Sequence, residues 1–283
     1  MKNTSEPREY AVAADGELLA FLSAVAPNAK ALLKYRAVLV DGVAVTQFNH
    51  RLTRGQTVTI LPRGRASGLA GLLYEDDEII VFNKPEGLLS VATERGRDKQ
   101  TTAYSMLTEH VKRRDARNRI FVVHRLDRDT SGVLLAAKTE KMKRLLQDNW
   151  AELVKTRGYT ALAEGALSEK SGTLRSWLRE NSAHVVYAGA DGDGQEAITE
   201  YRVLRESAAY SLLDIRLHTG RKNQIRVQLS GIGHPVAGDK KYGAKTNPLG
   251  RLALHAHLLE LTHPITGKLL SFAAEIPASF KIK

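Results

Sequence analysis

Apolar positions change their period several times along the chain, and each change predicts an element. Leu18, Leu19, Phe21, Leu22 and Val25 recur at helical spacing, and residues 29–35 read as a second short helix. Alternating runs then predict strands: Val38 to Val40, the Asp41-Gly42 turn, Val43 to Val45, and Thr57 to Ile60. Turn formers and two arginines interrupt the pattern from Pro62 to Gly68. They divide the chain into an expected small domain over 1–62, a linker over 63–70 and a larger domain over 71–283.

The larger part opens with a β-rich run, Glu78 to Phe82, that stops at Asn83-Lys84-Pro85-Glu86-Gly87. Helical spacing covers 101–114, with Asp98 or Thr101 as the expected cap. It returns over 138–157, with Met142, Leu145, Leu146, Leu153 and Val154 on the inner face. Between these helices two apolar runs, Ile120 to Val123 and Val133 to Ala137, predict buried strands. They enclose a polar loop, His124-Arg125-Leu126-Asp127-Arg128-Asp129-Thr130-Ser131-Gly132. A strand is expected from Tyr159 to Ala163, and residues 224–229 have helical character.

Composition narrows the chemistry. The 283 residues are 43% hydrophobic, enough for two cores. Lys and Arg number 42 against 31 Asp and Glu, a net charge of +11 that points to a polyanionic partner or to a merely basic enzyme. There is no cysteine, which excludes disulfides, thiolate metal sites and a cysteine nucleophile. The polar N-terminus and the lack of any long apolar window predict a cytoplasmic protein.

The loop from His124 to Gly132 admits several readings. A polar connection is what any strand pair needs, yet functional groups also concentrate on rigidly mounted loops. A kinase catalytic loop is ruled out, because Leu126 separates Arg125 from Asp127 and no Gly-rich phosphate loop precedes it. A metal site of His124, Asp127 and Asp129 lacks a recognised spacing. Gly189 to Gly194 lacks the ligands of a calcium loop and reads as a turn. His255 and His257 share a strand face without a third ligand and read as core or surface histidines.

His124-Arg125-Leu126-Asp127 followed by Thr130-Ser131-Gly132 resembles the signature of the RluA-type pseudouridine synthases. Asn83 to Leu88 resembles that family's Lys-Pro-x-Gly turn, and Thr219 to Arg226 its Thr-Gly-Arg block. His234 to Asp239, Tyr242-Gly243, Leu254-His255-Ala256 and His263-Pro264 continue the match in order, over residues 71–277. Asn223 and Gln228 depart from it, standing where relatives often carry histidine, and Arg157-Gly158-Tyr159 replaces the commoner Lys-x-Tyr. The helix, helix, hairpin order at the start more loosely resembles the small RNA-binding domain named after the fourth protein of the ribosomal small subunit. There Lys30, Lys34, Arg36, Arg51 and Arg54 are candidate phosphate contacts.

The resemblance implies an α+β fold: a mixed, mainly antiparallel sheet flanked by helices, plus a small N-terminal α+β domain. It implies isomerisation of uridines in structured RNA, ribosomal or transfer, with no cofactor; no metal is expected, and a monomer is the expected state. The C1′–N1 bond must break and a C1′–C5 bond form on the same uracil, which needs no redox partner. A carboxylate suits the task because it can add and leave, or take a proton. By resemblance Asp127 is that carboxylate and Arg226 its partner, since a guanidinium a few ångströms away favours the ionised form. Tyr159 would stack on the uracil and relay a proton. Ile225 would pack on the other face of the ring, Arg221 and Lys84 would contact substrate, and Arg125 would fill the gap left by an everted base. Two other readings are an inactive RNA-binding or ribosome-assembly factor of the same fold, and a carboxylate-dependent nucleosidase or glycosidase, which would need a second acid opposite the first, a role for which Asp129 stands too near in sequence.

Overall fold

The computed structural model describes residues 7–26, 29–34, 37–45, 47–60, 69–92 and 101–280. They form two compact units divided between Ala70 and Gly71. Residues 63–68 of the expected linker, the candidate cap Asp98, Arg36 and the side chain of Lys34 lie outside the described residues.

The first unit contains β1 (Arg8–Ala11), β2 (Gly16–Glu17), α1 (Leu18–Val25), α2 (Ala29–Lys34), β3 (Val38–Val40), β4 (Val43–Ala44), β5 (Arg51–Leu52) and β6 (Thr57–Ile60). Its main sheet has the order β1-β6-β3-β4, and β2 pairs with β5. Leu18, Leu22 and Leu33 from the helices pack with Val38, Val58 and Ile60 from the sheet. Strand β1 was not predicted, because its side chains are mostly exposed and carry no alternation. Backbone pairing along β6 holds it at the sheet edge instead.

The second unit contains β7 (Leu72–Glu75), β8 (Ile79–Lys84), α3 (Ala103–Lys112), β9 (Phe121–Val122), β10 (Ser131–Ala137), α4 (Glu140–Asp148) and α5 (Trp150–Leu153). There follow β11 (Val154–Glu164), β12 (Ser171–Glu180), β13 (Val186–Gly189), β14 (Gln195–Glu206), β15 (Tyr210–Leu217), α6 (Gln224–Gly231), β16 (Leu254–Thr262) and β17 (Leu269–Ala273). One large sheet runs β13-β12-β14-β15-β11-β16-β10-β8-β7, with β17 paired to β16 and β9 to β10. This is the mixed, mainly antiparallel α+β architecture expected, with β10 and β16 parallel at its centre. No helix among the described residues is long and apolar enough to cross a membrane.

Two expectations are corrected. The helix expected over 138–157 ends at Asp148, turns at Asn149, resumes for Trp150–Leu153, and gives way to β11 at Val154. β-Branched Val154, Thr156 and Thr160 suit a strand, and pairing with Leu261, Glu260 and His255 overrides the helical spacing. The cap of α3 is Thr102, whose hydroxyl accepts from the Ser105 amide while Ser105 Oγ accepts from the Thr102 amide, a reciprocal box.

Candidate active site

The loop between β9 and β10 is tied down at several residues. His124 Nε2 accepts from the Leu135 amide at 3.0 Å, and its ring lies 5.2 Å from that of Trp150. Ser90 Oγ donates to the Leu126 carbonyl at 2.7 Å and accepts from the Leu126 amide at 3.1 Å. The Thr130 amide donates back to the Asp127 carbonyl at 3.2 Å. Beyond it, Gly132 has φ +117, and a β-carbon there would stand 2.1 Å from the Ala256 carbonyl oxygen where β10 meets β16. Only glycine permits that approach.

Lys84 is not in contact with solvent, contrary to the expected substrate contact. It is fully buried, and its ammonium donates to the carbonyls of Pro85 (3.0 Å), Leu88 (2.8 Å) and Arg128 (2.9 Å). Burial lowers its pKa to about 8 against the pull of Asp129 and Asp127. The residue fastens the Lys-Pro turn to the base of the Asp127 loop.

Helix α6 brings Arg226 to the loop. Its Nη1 donates to Asp127 Oδ2 at 3.4 Å and to Asn223 Oδ1 at 3.1 Å. The stronger partner is Asp239, which the sequence reading did not assign: its carboxylate receives Nε at 2.6 Å and Nη2 at 2.7 Å. Burial would lower the Arg226 pKa, but Asp239 and then Asp127 hold it above its ordinary range. The guanidinium also lies 5.0 Å from the Tyr242 ring centroid. Asn223 is held left-handed at φ 55 and donates to the Tyr242 hydroxyl at 2.9 Å. The helix start is fixed by Gln224, whose amide oxygen accepts from Thr219 Oγ1 and from the Arg221 amide, each at 2.9 Å.

The loop and α6 face β11 across a cleft of about 1070 Å³. Six of the expected residues line it together: Asp127, Tyr159, Arg226, Arg125, Ile225 and Arg221. Arg125 is exposed at the edge, whereas Ile225 is buried. Tyr159 stands where the β11–β16 register slips between Gly158 and Thr160, an irregularity of the kind that re-aims side chains beside sites. Burial, with a smaller push from Asp127 and an opposing pull from Arg157, raises the Tyr159 phenol to about 12. It is therefore neutral at ordinary pH. Burial likewise lowers His124 to about 4, so its ring is neutral too.

In the first unit, Lys30, Arg51 and Arg54 are exposed. Asp129 is exposed beside Arg128, at 3.5 Å. The two strand histidines serve as hydrogen-bond partners, His255 with Ser131 at 2.8 Å and His257 with Thr160 at 3.1 Å. Gln228 Nε2 reaches three acceptors, Leu174 O, Ser176 Oγ and Ala197 O, which ties α6 to β12 and β14. Chemically, the cleft offers a part-exposed carboxylate, a neutral phenol, an apolar wall and several guanidinium groups.

Residues 78–231 match the family described as RNA pseudouridylate synthase. The RNA pseudouridine synthase YhcT of Bacillus subtilis is 36% identical over 217 residues, covering 76% of this chain and 71% of the relative. The ribosomal large subunit pseudouridine synthase D of Haemophilus influenzae is 34% identical over 223 residues, covering 74% and 68%. The solved structure of human RNA pseudouridylate synthase domain containing 4 has a TM-score of 0.60 at 24% identity, over 75% of this chain and 90% of that one, a likeness of fold.

Proposed function

Since the chain belongs to the RNA pseudouridylate synthase family, and is thereby an isomerase that forms pseudouridine in RNA, we propose that Asp127 is the group that performs the reaction, on a uridine turned out of structured RNA into the cleft. The observation that carries this reading is the position of the Asp127 carboxylate, 31% exposed, on a loop fastened from below and facing Tyr159 and Ile225 across the cleft.

Over the reaction the C1′–N1 bond breaks, C1′–C5 forms, and the proton on C5 is replaced by one on N1. Asp127 acts by adding to the sugar or the base, or by taking a proton. Arg226 steadies it with a single long contact while Asp239 takes most of that guanidinium's charge. A phenol near 12 resists ionisation, which favours Tyr159 as a stacking platform over a free base. Ile225 supplies the opposite wall. A guanidinium can stack where the base has left, and exposed Arg125 is placed for it. Eversion costs a few kcal/mol, which such contacts offset. The first unit, with Lys30, Arg51 and Arg54 exposed, would dock RNA through its phosphates.

Chemical mapping of pseudouridines in RNA from cells with and without the protein tests this reading and separates ribosomal from transfer RNA targets. At least one site should vanish on deletion, return with the wild-type gene and stay absent with Asp127→Asn. Return of that site with Asp127→Asn would remove Asp127 from the chemistry.

A further inference from the structure

Among the arginines that line the cleft, Arg226 and Arg157 are the two part-buried ones, and their surroundings differ. Arg226 makes four bonds, two to Asp239 and one each to Asn223 and Asp127. Arg157 is half-buried and makes one bond, from Nη2 to the Leu217 carbonyl at 3.1 Å. Among the described residues no carboxylate forms an ion pair with it. Its charged neighbour Arg221 repels it, and the nearby His124 and Tyr159 are neutral at ordinary pH. A guanidinium taken partly out of water without a counter-charge is costly unless a ligand supplies one.

The fold makes room for this cation. A β-carbon on Gly220 would stand 2.5 Å from Arg157 Nη1, so the absence of a side chain there lets the guanidinium lie against the loop. Arg157 and Tyr159 are two residues apart on β11 and both line the cleft. Their spacing along the strand is about 7 Å, the scale that separates a nucleotide's base from its phosphate.

We propose that Arg157, with Arg221 beside it, is the subsite for the phosphate of the everted nucleotide, placing the sugar between that anion and Asp127. This rests on the reading of the cleft given above. A phosphodiester carries the single negative charge the site lacks and presents two oxygens to a planar fork. Arg226 cannot serve in the same way, because Asp239 already occupies its fork.

The test uses the full chain, with RNA extracted from cells lacking it as substrate. Arg157→Gln is expected to raise the apparent KM about tenfold, with a smaller fall in kcat, and to flatten the dependence of log kcat/KM on log salt by about 0.7, the slope of one phosphate contact on a single strand. Arg157→Lys keeps the charge but not the fork, so it should restore the slope and only part of the KM. Uridine 5′-monophosphate should inhibit the wild type more strongly than uridine, with the ratio falling toward one in Arg157→Gln and part of the way in Arg157→Lys. Unchanged KM, slope and ratio in Arg157→Gln, with Asp127→Asn inactive, would overturn the phosphate role and leave the proposed function standing. Full turnover by Asp127→Asn would overturn both. If the Gln variant melts early, the inhibition ratio of the Lys variant decides, and an unchanged ratio overturns the proposal.

Discussion

The Arg226 side chain has two carboxylates in reach and sides with the buried one. Asp239, 1% exposed, takes both ends of the fork, while Asp127, 31% exposed, receives a contact of 3.4 Å. Asp239→Asn would free the fork to collapse onto Asp127. Breaking a buried pair in this way is expected to cost about 3 kcal/mol in denaturant unfolding, and the displaced guanidinium to lower turnover about a hundredfold. A second expectation concerns acid. His124 titrates near 4 in the fold against about 6.5 in an unfolded chain. Between those values the unfolded state binds more protons, so stability falls as pH drops through this window. His255, also lowered to about 4 by burial, adds to the effect. His124→Gln should therefore lose less stability between pH 7 and 4.5 than the wild type, by on the order of 2 kcal/mol, in urea melts at the two pH values.

At the scale of elements, the loop carrying Asp127 is only as well placed as the start of β10. Parallel pairing of β10 with β16 brings Gly132 against Ala256, at a φ of +117 that other residues rarely adopt. Gly132→Ala combines that strain with overlap, and an unfolding measurement should find a loss of about 3 kcal/mol or more. Helix α6 shows the same dependence. Its residues were legible as a helix from their spacing, but Asn223 at its start is left-handed, and Gln224 and Gln228 spend their amides on β14, β12 and the preceding turn. The helix is aimed by these bonds together with the burial of Ile225, Val227 and Leu229.

Over the whole molecule, each unit has a core of its own, with Leu22 and Val58 in the first and Ala161 and Ile215 in the second. Residues 71–283 alone should therefore fold cooperatively, as circular dichroism and a thermal melt would report. Removing residues 1–62 should weaken RNA binding and flatten its salt dependence. If Lys30, Arg51 and Arg54 all meet phosphates, the slope changes by about 2. An unchanged slope would leave the first unit without a docking role.

The sequence by itself determined the family, through blocks such as His124 to Gly132 and Thr219 to Arg226, because reactive residues and their turns are local in the chain. It also revealed α1, β8, β10 and α6 from hydrophobic period, since burial of one face leaves a periodic trace. Tertiary structure alone decided where a strand replaced the last turn of a helix at Val154, because pairing with β16 outweighed local preference. It alone assigned Asp239 to Arg226, buried Lys84 beneath the loop and left Arg157 without a counter-ion among the described residues. Partnership between charges depends on distance and solvent access, and residues far apart in sequence acquire both only when the sheet brings them together.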